Sequence, residues 1–541
     1  MKFYIMLLAA VLMALAWLLP LHYRPWVTYT GELFAFFSLF TLAILYVKKK
    51  LHLPKISLAL LAIAAIPIVQ WLCGLVFFAD KAFLASAYVF AFWLSLVLGY
   101  NLSQNDQQRS ETFTQWSSLL LLVGCTTSII AICQWLDVER YIPGMTQLIG
   151  NRPYGNFAQP NNMGTFLFLS LLASFYLYEK QKLKTALLAM CAVLLLIGMA
   201  MSQSRTIWIG GLCVLLYAGY QQYRGVLRLK WYWLMLWLGL FITFAMTIPM
   251  LSQLLAQMSG VEVTKTINLA ARKDMSRLAI WQQMLHAIAH QPLWGYGWNQ
   301  TSVAYTVISD YFQGPVWIRS AHNMVLDLLV WNGIVLGTPI LAYLSYLGYQ
   351  LHQAVRSTEA AIGILMVGVF LIHAMLEFPQ NYAYFLLPIG FVIGIILSSH
   401  LKLKSYLITP LYLQLTWIIA AVLTLLVVRD YQIAVVQLNQ SMRYEKSPEK
   451  MTNHQQLYVL EEFERRIAWI RMSPWQKLND QQLQEIGEIV QNYPTKYDFL
   501  KYAKLLAYND KQQQALHQLW LLQELRGLTV SYEQLTEQMP K

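Results

Sequence analysis

Run after run of this 541-residue chain is long and apolar enough to cross a bilayer, and that recurrence limits the fold more than any motif does. The runs fall at residues 4–20, 30–47, 56–78, 82–101, 116–135, 163–178, 185–201, 207–221, 231–250, 322–347, 359–376, 383–399 and 405–428. They predict an all-α polytopic membrane protein with about thirteen transmembrane helices, within a range of about 12–14. Composition agrees. Hydrophobic residues make up 57% and charged residues 12% of the chain, with a mean hydropathy of +0.44. Soluble domains carry about 25% charged residues.

The formal charge of +12 does not require nucleic acid. The basic residues gather in short links: Lys48–Lys50, then Lys180, Lys182 and Lys184, then Arg224, Arg228 and Lys230, then Lys402 and Lys404. These are alternate links, which is the positive-inside pattern and assigns them to the cytoplasm together with the N-terminus. The remaining links face outward: 21–29, 79–81, 136–162, 202–206, 377–382, the long loop 251–321, and the tail from residue 429. All five cysteines fall inside apolar runs, so no disulfide is expected. The apolar N-terminus lacks a small-residue cleavage site and reads as a retained first helix.

Two outward segments are too long to be turns. In loop 251–321, Leu278, Trp281, Leu285 and Ile288 recur at helical spacing, which predicts an amphipathic helix with Asp274 as its N-cap. Pro292, Gly295 and Gly297 in PLWGYGWNQ then end it. The tail is rich in Gln, Glu, Lys, Arg and Tyr, has helical periodicity and shows no clean 34-residue repeat. The expected division is therefore a transmembrane catalytic domain, 1–428, which includes loop 251–321, and a C-terminal helical domain, 429–541, outside the membrane.

Polar groups at apolar spans are costly and mark function. Five separate outward segments carry them. GNRPYGNFAQPNN holds Arg152, Asn156, Gln159, Asn161 and Asn162; SQSRTIW holds Arg205; the loop helix begins near Arg272 and Arg277. IRSAHNMVLDLLVWNG presents Arg319, His322 and Asn323 at the head of an apolar run, and HAMLEFPQNYAY pairs His373 with Glu377. Arginines at span ends also snorkel to headgroups, and His373/Glu377 at i, i+4 also reads as a local helix pair. His286 and His290 share that spacing with no third ligand, so no metal site and no cofactor are expected. Several guanidinium groups suit a lipid pyrophosphate, which they grip through forked charge-assisted hydrogen bonds. A neutral imidazole suits removal of a proton from an attacking hydroxyl.

On GNRPYGNFAQPNN, SQSRTIW, RLAIWQQMLHAIAHQPLWGYGW, the His322–Asn323 pair with Gly333 downstream, and HAMLEFPQNYAYFLLPIG, the chain resembles the bacterial O-antigen ligase and O-antigen polymerase superfamily. Its closest likeness there is to the protein-glycosylating O-oligosaccharyltransferases, pilin-specific or general. The resemblance covers most of residues 140–400 and extends into the tail. It departs at Leu336, three residues after Gly333, where the ligase pattern has Gly, Thr or Tyr. The resemblance implies an inner-membrane enzyme that moves a preassembled glycan from undecaprenyl pyrophosphate to Ser or Thr hydroxyls of periplasmic acceptor proteins. It implies inversion at the sugar without a metal. By resemblance His322 is the essential histidine, and Arg205 and Arg277 are the pyrophosphate contacts. Arg152 and Arg319 join the donor site, and Asn323, Glu377, His373, Gln159 and Asn161 support it. The expected partners are the lipid-linked glycan, the acceptor protein and membrane lipids, with no nucleic acid. The alternatives are transfer to lipid A core, glycan polymerisation and, outside the class, a lipid flippase or transporter. The long tail favours a protein acceptor; one-sided charges and the lack of an internal repeat disfavour transport.

Overall fold

A computed structural model describes residues 1–22, 25–157, 159–259, 276–312, 318–445, 447–537 and 539–540. Every apolar window is occupied by a helix. In chain order these are α1 (Lys2–Leu18), α2 (Tyr29–Ala43), α3 (Ala59–Leu72), α4 (Ala79–Asn101), α5 (Asp106–Trp135), α6 (Pro160–Glu179), α7 (Thr185–Ser202), α8 (Arg205–Tyr223) and α9 (Trp231–Ser259). The loop contributes α10 (Ser276–His290) and α11 (Thr301–Ile308). The apolar series then resumes with α12 (Met324–Gln353), α13 (Thr358–Ala374), α14 (Ala383–Leu397) and α15 (Pro410–Arg443). The tail folds as α16 (Glu461–Arg471), α17 (Asp480–Asn492), α18 (Lys496–Tyr508), α19 (Gln512–Arg526) and α20 (Tyr532–Thr536).

Among the described residues, eight segments are long and apolar enough to cross a membrane, and α1, α13 and α14 are shorter apolar helices. This is an all-α, multi-pass membrane protein. The sheet among the described residues is one short pair, β1 (Leu51–Pro54) antiparallel to β2 (Ser405–Ile408), beside two of the basic links.

Three expected windows need correction. The window 56–78 ends early, because α3 stops at Leu72 and the chain turns at Gly74 (φ +76°). The window 405–428 starts as β2, and its helix begins at Pro410 and runs on to Arg443. The window 322–347 is interrupted at Gly333 (φ +59°, ψ −169°), so α12 is two helical pieces. Apolarity alone does not register any of these, since a strand, a turn and a helix break can all be greasy.

The chain forms two compact units, and the division falls within α3, α4, α12 and α15. The first comprises residues 1–61, 88–272 and 344–418. There α6 is buried along nearly its whole length, packed by α5, α7 and α13, while α14 packs on α13 and α2. The second unit comprises 62–87, 273–343 and 419–541. In it α10 packs on α11, α11 on α17, and α17 and α18 continue the stack to α19. Buried Asp430 of α15 ties that helix to the tail by accepting the N–H groups of Tyr458 and Val459, each at 2.6 Å. Lys501 of α18 donates to the carbonyls of Trp469 and Ile470, both at 2.9 Å, at the end of α16, and burial pushes its ammonium down to about 8.

The loop helix exists as expected, and its protein-packed face is the one beside the predicted apolar stripe. Ile280, Gln283, Met284 and Ala287 are buried, whereas Leu278 and Leu285 are exposed, with Trp281 and Ile288 between the two conditions. The expected N-cap Asp274, and Arg272, lie outside the described residues.

Candidate functional site

The first unit gathers one set of candidates around the turn from α7 to α8. Its organiser is Gln134, fully buried at the end of α5, which the sequence did not single out. Its amide nitrogen donates to the carbonyls of Thr146 (2.8 Å) and Gly155 (2.7 Å). Its oxygen accepts the N–H groups of Tyr154 (3.0 Å) and Gly155 (2.8 Å). Three of these four backbone bonds hold GNRPYGN in place, and the fourth ties down the approach to it at Thr146. Asn156 acts the same way, donating to the carbonyls of Leu18 and Gly144.

Arg152 projects from this loop onto the last carbonyl of α7. Its Nε and Nη2 donate to Ser202 O at 2.9 and 2.6 Å, and Nη2 also reaches Asn161 Oδ1 at 3.1 Å. A cation at a helix C-terminus is favourable. Asn161 in turn donates to Glu377 at 2.8 Å. Arg152, Asn161 and Glu377 thus form one connected network, drawn from two of the five sequence segments. Arg205 opens α8 three residues after Ser202 and is exposed. Between them Gln203 adopts the left-handed conformation (φ +48°), which non-glycine residues rarely adopt and which concentrates at functional sites. Ser204 Oγ, Gln203 Oε1 and Thr165 Oγ1 are buried here with no hydrogen-bond partner among the described residues.

His373 and Gln159 are placed differently. His373 is fully buried on α13, edge-on to Phe385, and meets Glu377 through its backbone carbonyl, which accepts the Glu377 N–H at 2.8 Å. Gln159 caps α6 by position and makes a long contact to Asn162 (3.5 Å).

The second unit gathers the other set around the start of α12. Asn323 is its N-cap, with Oδ1 accepting from Val325 N (3.0 Å) and Leu326 N (3.2 Å). Its immediate neighbour His322 is half-buried and left-handed (φ +52°). The His322 Nδ1 lies 3.0 Å from Ser320 O. A carbonyl can only accept, so Nδ1 carries the proton and the neutral ring has its lone pair on Nε2. Buried Asp327, one turn into α12, accepts from Ser320 Oγ (2.6 Å), Ala321 N (2.9 Å) and Thr301 Oγ1 (2.9 Å). The same turn is held from α10, where Trp281 Nε1 donates to Ala321 O at 3.1 Å. Arg277 stands one turn before Trp281 on the same face of α10. Arg319 is exposed, lies 5.7 Å over the ring of Tyr493 in the tail, and with burial helps hold Arg526 below its ordinary range. His286 is stacked on Phe312 at 4.3 Å, and His290 packs at a tilt against Tyr311 at 4.6 Å.

Of the candidates, then, Arg152, Asn161, Glu377 and the Arg205 turn meet in one unit; His322, Asn323 and the Arg277 helix meet in the other. Gln134, Ser320, Thr301 and Asp327 support them and were missed. The one cue the sequence offered was an isolated polar residue inside an otherwise apolar run, which Gln134 and Asp327 both are.

Comparison with known proteins gives consistent matches. Residues 190–341 match the O-antigen ligase family, and residues 361–528 match the C-terminal part of the virulence factor membrane-bound polymerases. Over 539 residues, 99% of this chain and 95% of the relative, the sequence is 39% identical to a general O-oligosaccharyltransferase of Acinetobacter baylyi. It is also 28% identical, over 65% of this chain and 63% of the relative, to a ComP-specific O-oligosaccharyltransferase of the same organism.

Proposed function

The chain belongs to the bacterial general O-oligosaccharyltransferases of the O-antigen ligase family, and from that premise we propose how it works. It is a membrane glycosyltransferase that moves an oligosaccharide en bloc to proteins. The donor is a glycan on undecaprenyl pyrophosphate, and the reaction takes place at the periplasmic face of the inner membrane. His322 Nε2 takes the proton of an acceptor Ser or Thr hydroxyl. The oxygen attacks the anomeric carbon from the face opposite the leaving group, the carbon–oxygen bond to pyrophosphate breaks, and the configuration inverts. Arg205 and Arg277, with Arg152 and Arg319, meet the charge of the departing pyrophosphate without a metal. The outward tail, 429–541, takes up the acceptor protein.

One observation carries this reading above the others. His322 sits in a strained left-handed turn, with its Nδ1 proton on Ser320 O, beside the helix that bears Arg277. That leaves an oriented base on a turn held by the helix that carries Arg277. The exposed guanidinium of Arg205, at the N-terminal end of α8, supports a second anion-binding element.

The test is purified enzyme with lipid-linked oligosaccharide and an acceptor protein, read by intact mass. Transfer to the protein should proceed equally well with excess chelator. A product on lipid A core or on another glycan instead would overturn the acceptor assignment, and loss of rate with chelator would overturn metal independence. In the same assay Arg205→Lys should lower kcat/KM by about 10- to 100-fold, the worth of a charge-assisted hydrogen bond of about 1.5–3 kcal/mol that a single ammonium cannot duplicate. A lysine enzyme of unchanged kcat/KM would remove Arg205 from the donor site.

A further inference from the structure

Asp327 is a carboxylate buried to 0% exposure in the first turn of an apolar helix, and the reaction as proposed makes no use of it. An ion in that position costs several kcal/mol unless donors surround it. Here they do, and they come from two directions. Thr301 of α11 donates to Oδ1, and so does the Ala321 N–H from the turn that precedes α12; Ser320 Oγ donates to Oδ2. Thr301 is itself fixed by Trp331 Nε1, which donates to its hydroxyl at 2.7 Å.

Ser320 is the link to the histidine. Its Oγ accepts the backbone N–H of His322 at 3.1 Å while its hydrogen goes to Asp327, and its carbonyl holds the His322 Nδ1 proton. The backbone and the ring of His322 are thus both hung on one residue, and that residue is hung on Asp327. We infer that Asp327 is the positioning carboxylate of His322, acting through Ser320 to fix the left-handed turn and the tautomer that leaves Nε2 basic. This rests on the reading of His322 as the proton acceptor. Asp327 neither touches substrate nor takes the proton, which stays on Nε2.

A neutral amide cannot do the same. Asparagine has one accepting oxygen, and its NH2 would face the Ser320 hydroxyl. Ser320 Oγ would have to accept from it and turn its hydrogen away, leaving that hydrogen unmatched. The turn would loosen while the volume stayed filled.

The test uses full-length enzyme, lipid-linked oligosaccharide and acceptor protein, comparing Asp327→Asn, Ser320→Ala and His322→Ala. Asp327→Ala opens a cavity and is expected to unfold, so the two milder substitutions carry the test. Both Asp327→Asn and Ser320→Ala should lower kcat by about 100-fold, the effect of a misplaced reacting group, with KM for both substrates within about twofold. Nitrogen-15 spectra, with the His322 signal assigned by its absence in His322→Ala, should show the Nδ1–H tautomer in the parent and a mixture in Asp327→Asn. A parent-like kcat in Asp327→Asn, an unchanged tautomer, or a loss of activity that only follows loss of folded protein overturns the inference. An active His322→Ala instead overturns the reading beneath it, so the two failures are separable.

Discussion

Replacing His322 with alanine is expected to abolish transfer while the protein still inserts and accumulates. The loss should be at least the 10²–10⁴-fold typical of a removed general base, measured as the fraction of acceptor protein shifted in intact mass. Stability should hardly change. The side chain is only half-buried, its Nδ1 bond goes to a carbonyl of its own turn, and Asn323, not His322, caps α12. The left-handed φ of +52° is the one complication, since alanine takes up that conformation less readily than histidine does. Asparagine tolerates that conformation and supplies no base, so His322→Asn separates backbone strain from chemistry. Both variants should be inactive, and the asparagine protein should melt with the parent. Near-normal glycosylation by either would end the role assigned to His322.

The helices were legible because the physics that sets them is local. A run of apolar residues in a bilayer must satisfy its own backbone, and a helix does that from sequence neighbours alone. Every apolar window therefore became a helix, down to α6, whose interior polar residues Ser170 and Ser174 did not obscure it. The network of Arg152, Asn161 and Glu377 was half legible. The residue types were suspicious in apolar surroundings, but their bonding across about 200 positions depends on packing that no spacing encodes. The residues that were missed all serve other residues. Gln134 reads as one polar letter near the end of a span, and only its four backbone partners reveal a loop organiser. Asp327 sits inside IRSAHNMVLDLLVWNG yet did not stand out, because Thr301, its partner from α11, lies 26 residues upstream. The loop helix was legible in its period and only half legible in its surroundings. Its leucine stripe stays exposed, while the neighbouring face, Ile280, Met284 and Ala287, is the one buried in the protein, which the stripe alone does not reveal.

Gly333→Ala should remove the folded protein altogether, although this residue touches neither substrate nor candidate base. At φ +59° and ψ −169° its backbone lies where essentially only glycine goes, at a cost of about 1–3 kcal/mol for anything else. Space is refused as well: an added Cβ would stand 2.2 Å from Leu293 O and 2.6 Å from Trp294 N, which are backbone atoms and cannot rotate aside. The reason for this crowding is a backbone exchange. Breaking α12 frees two carbonyls and two N–H groups, and the segment PLWGYGW takes all four. Tyr296 N donates to Val330 O (2.8 Å) and Gly297 N to Trp331 O (3.0 Å), while Ile334 N and Val335 N donate to Pro292 O (2.7 Å) and Leu293 O (3.2 Å). Gln70 of α3 completes the join by donating to Trp331 O at 3.1 Å and accepting from Trp298 N at 2.9 Å. Buried backbone groups cost about 1–3 kcal/mol each when stranded, so pushing the segment out adds to the strain and approaches the roughly 5–15 kcal/mol that holds a typical protein together. The same chain supplies its own control. Gly348, further along α12, has nothing within 4 Å of the place an added methyl would take, so Gly348→Ala should match the parent or gain up to about 1 kcal/mol. Size-exclusion yield and melting temperature of the two purified variants decide the matter. A Gly333→Ala protein that elutes and melts like the parent would mean that the helix break does not need the exchange, and that the start of α12 is oriented by something else.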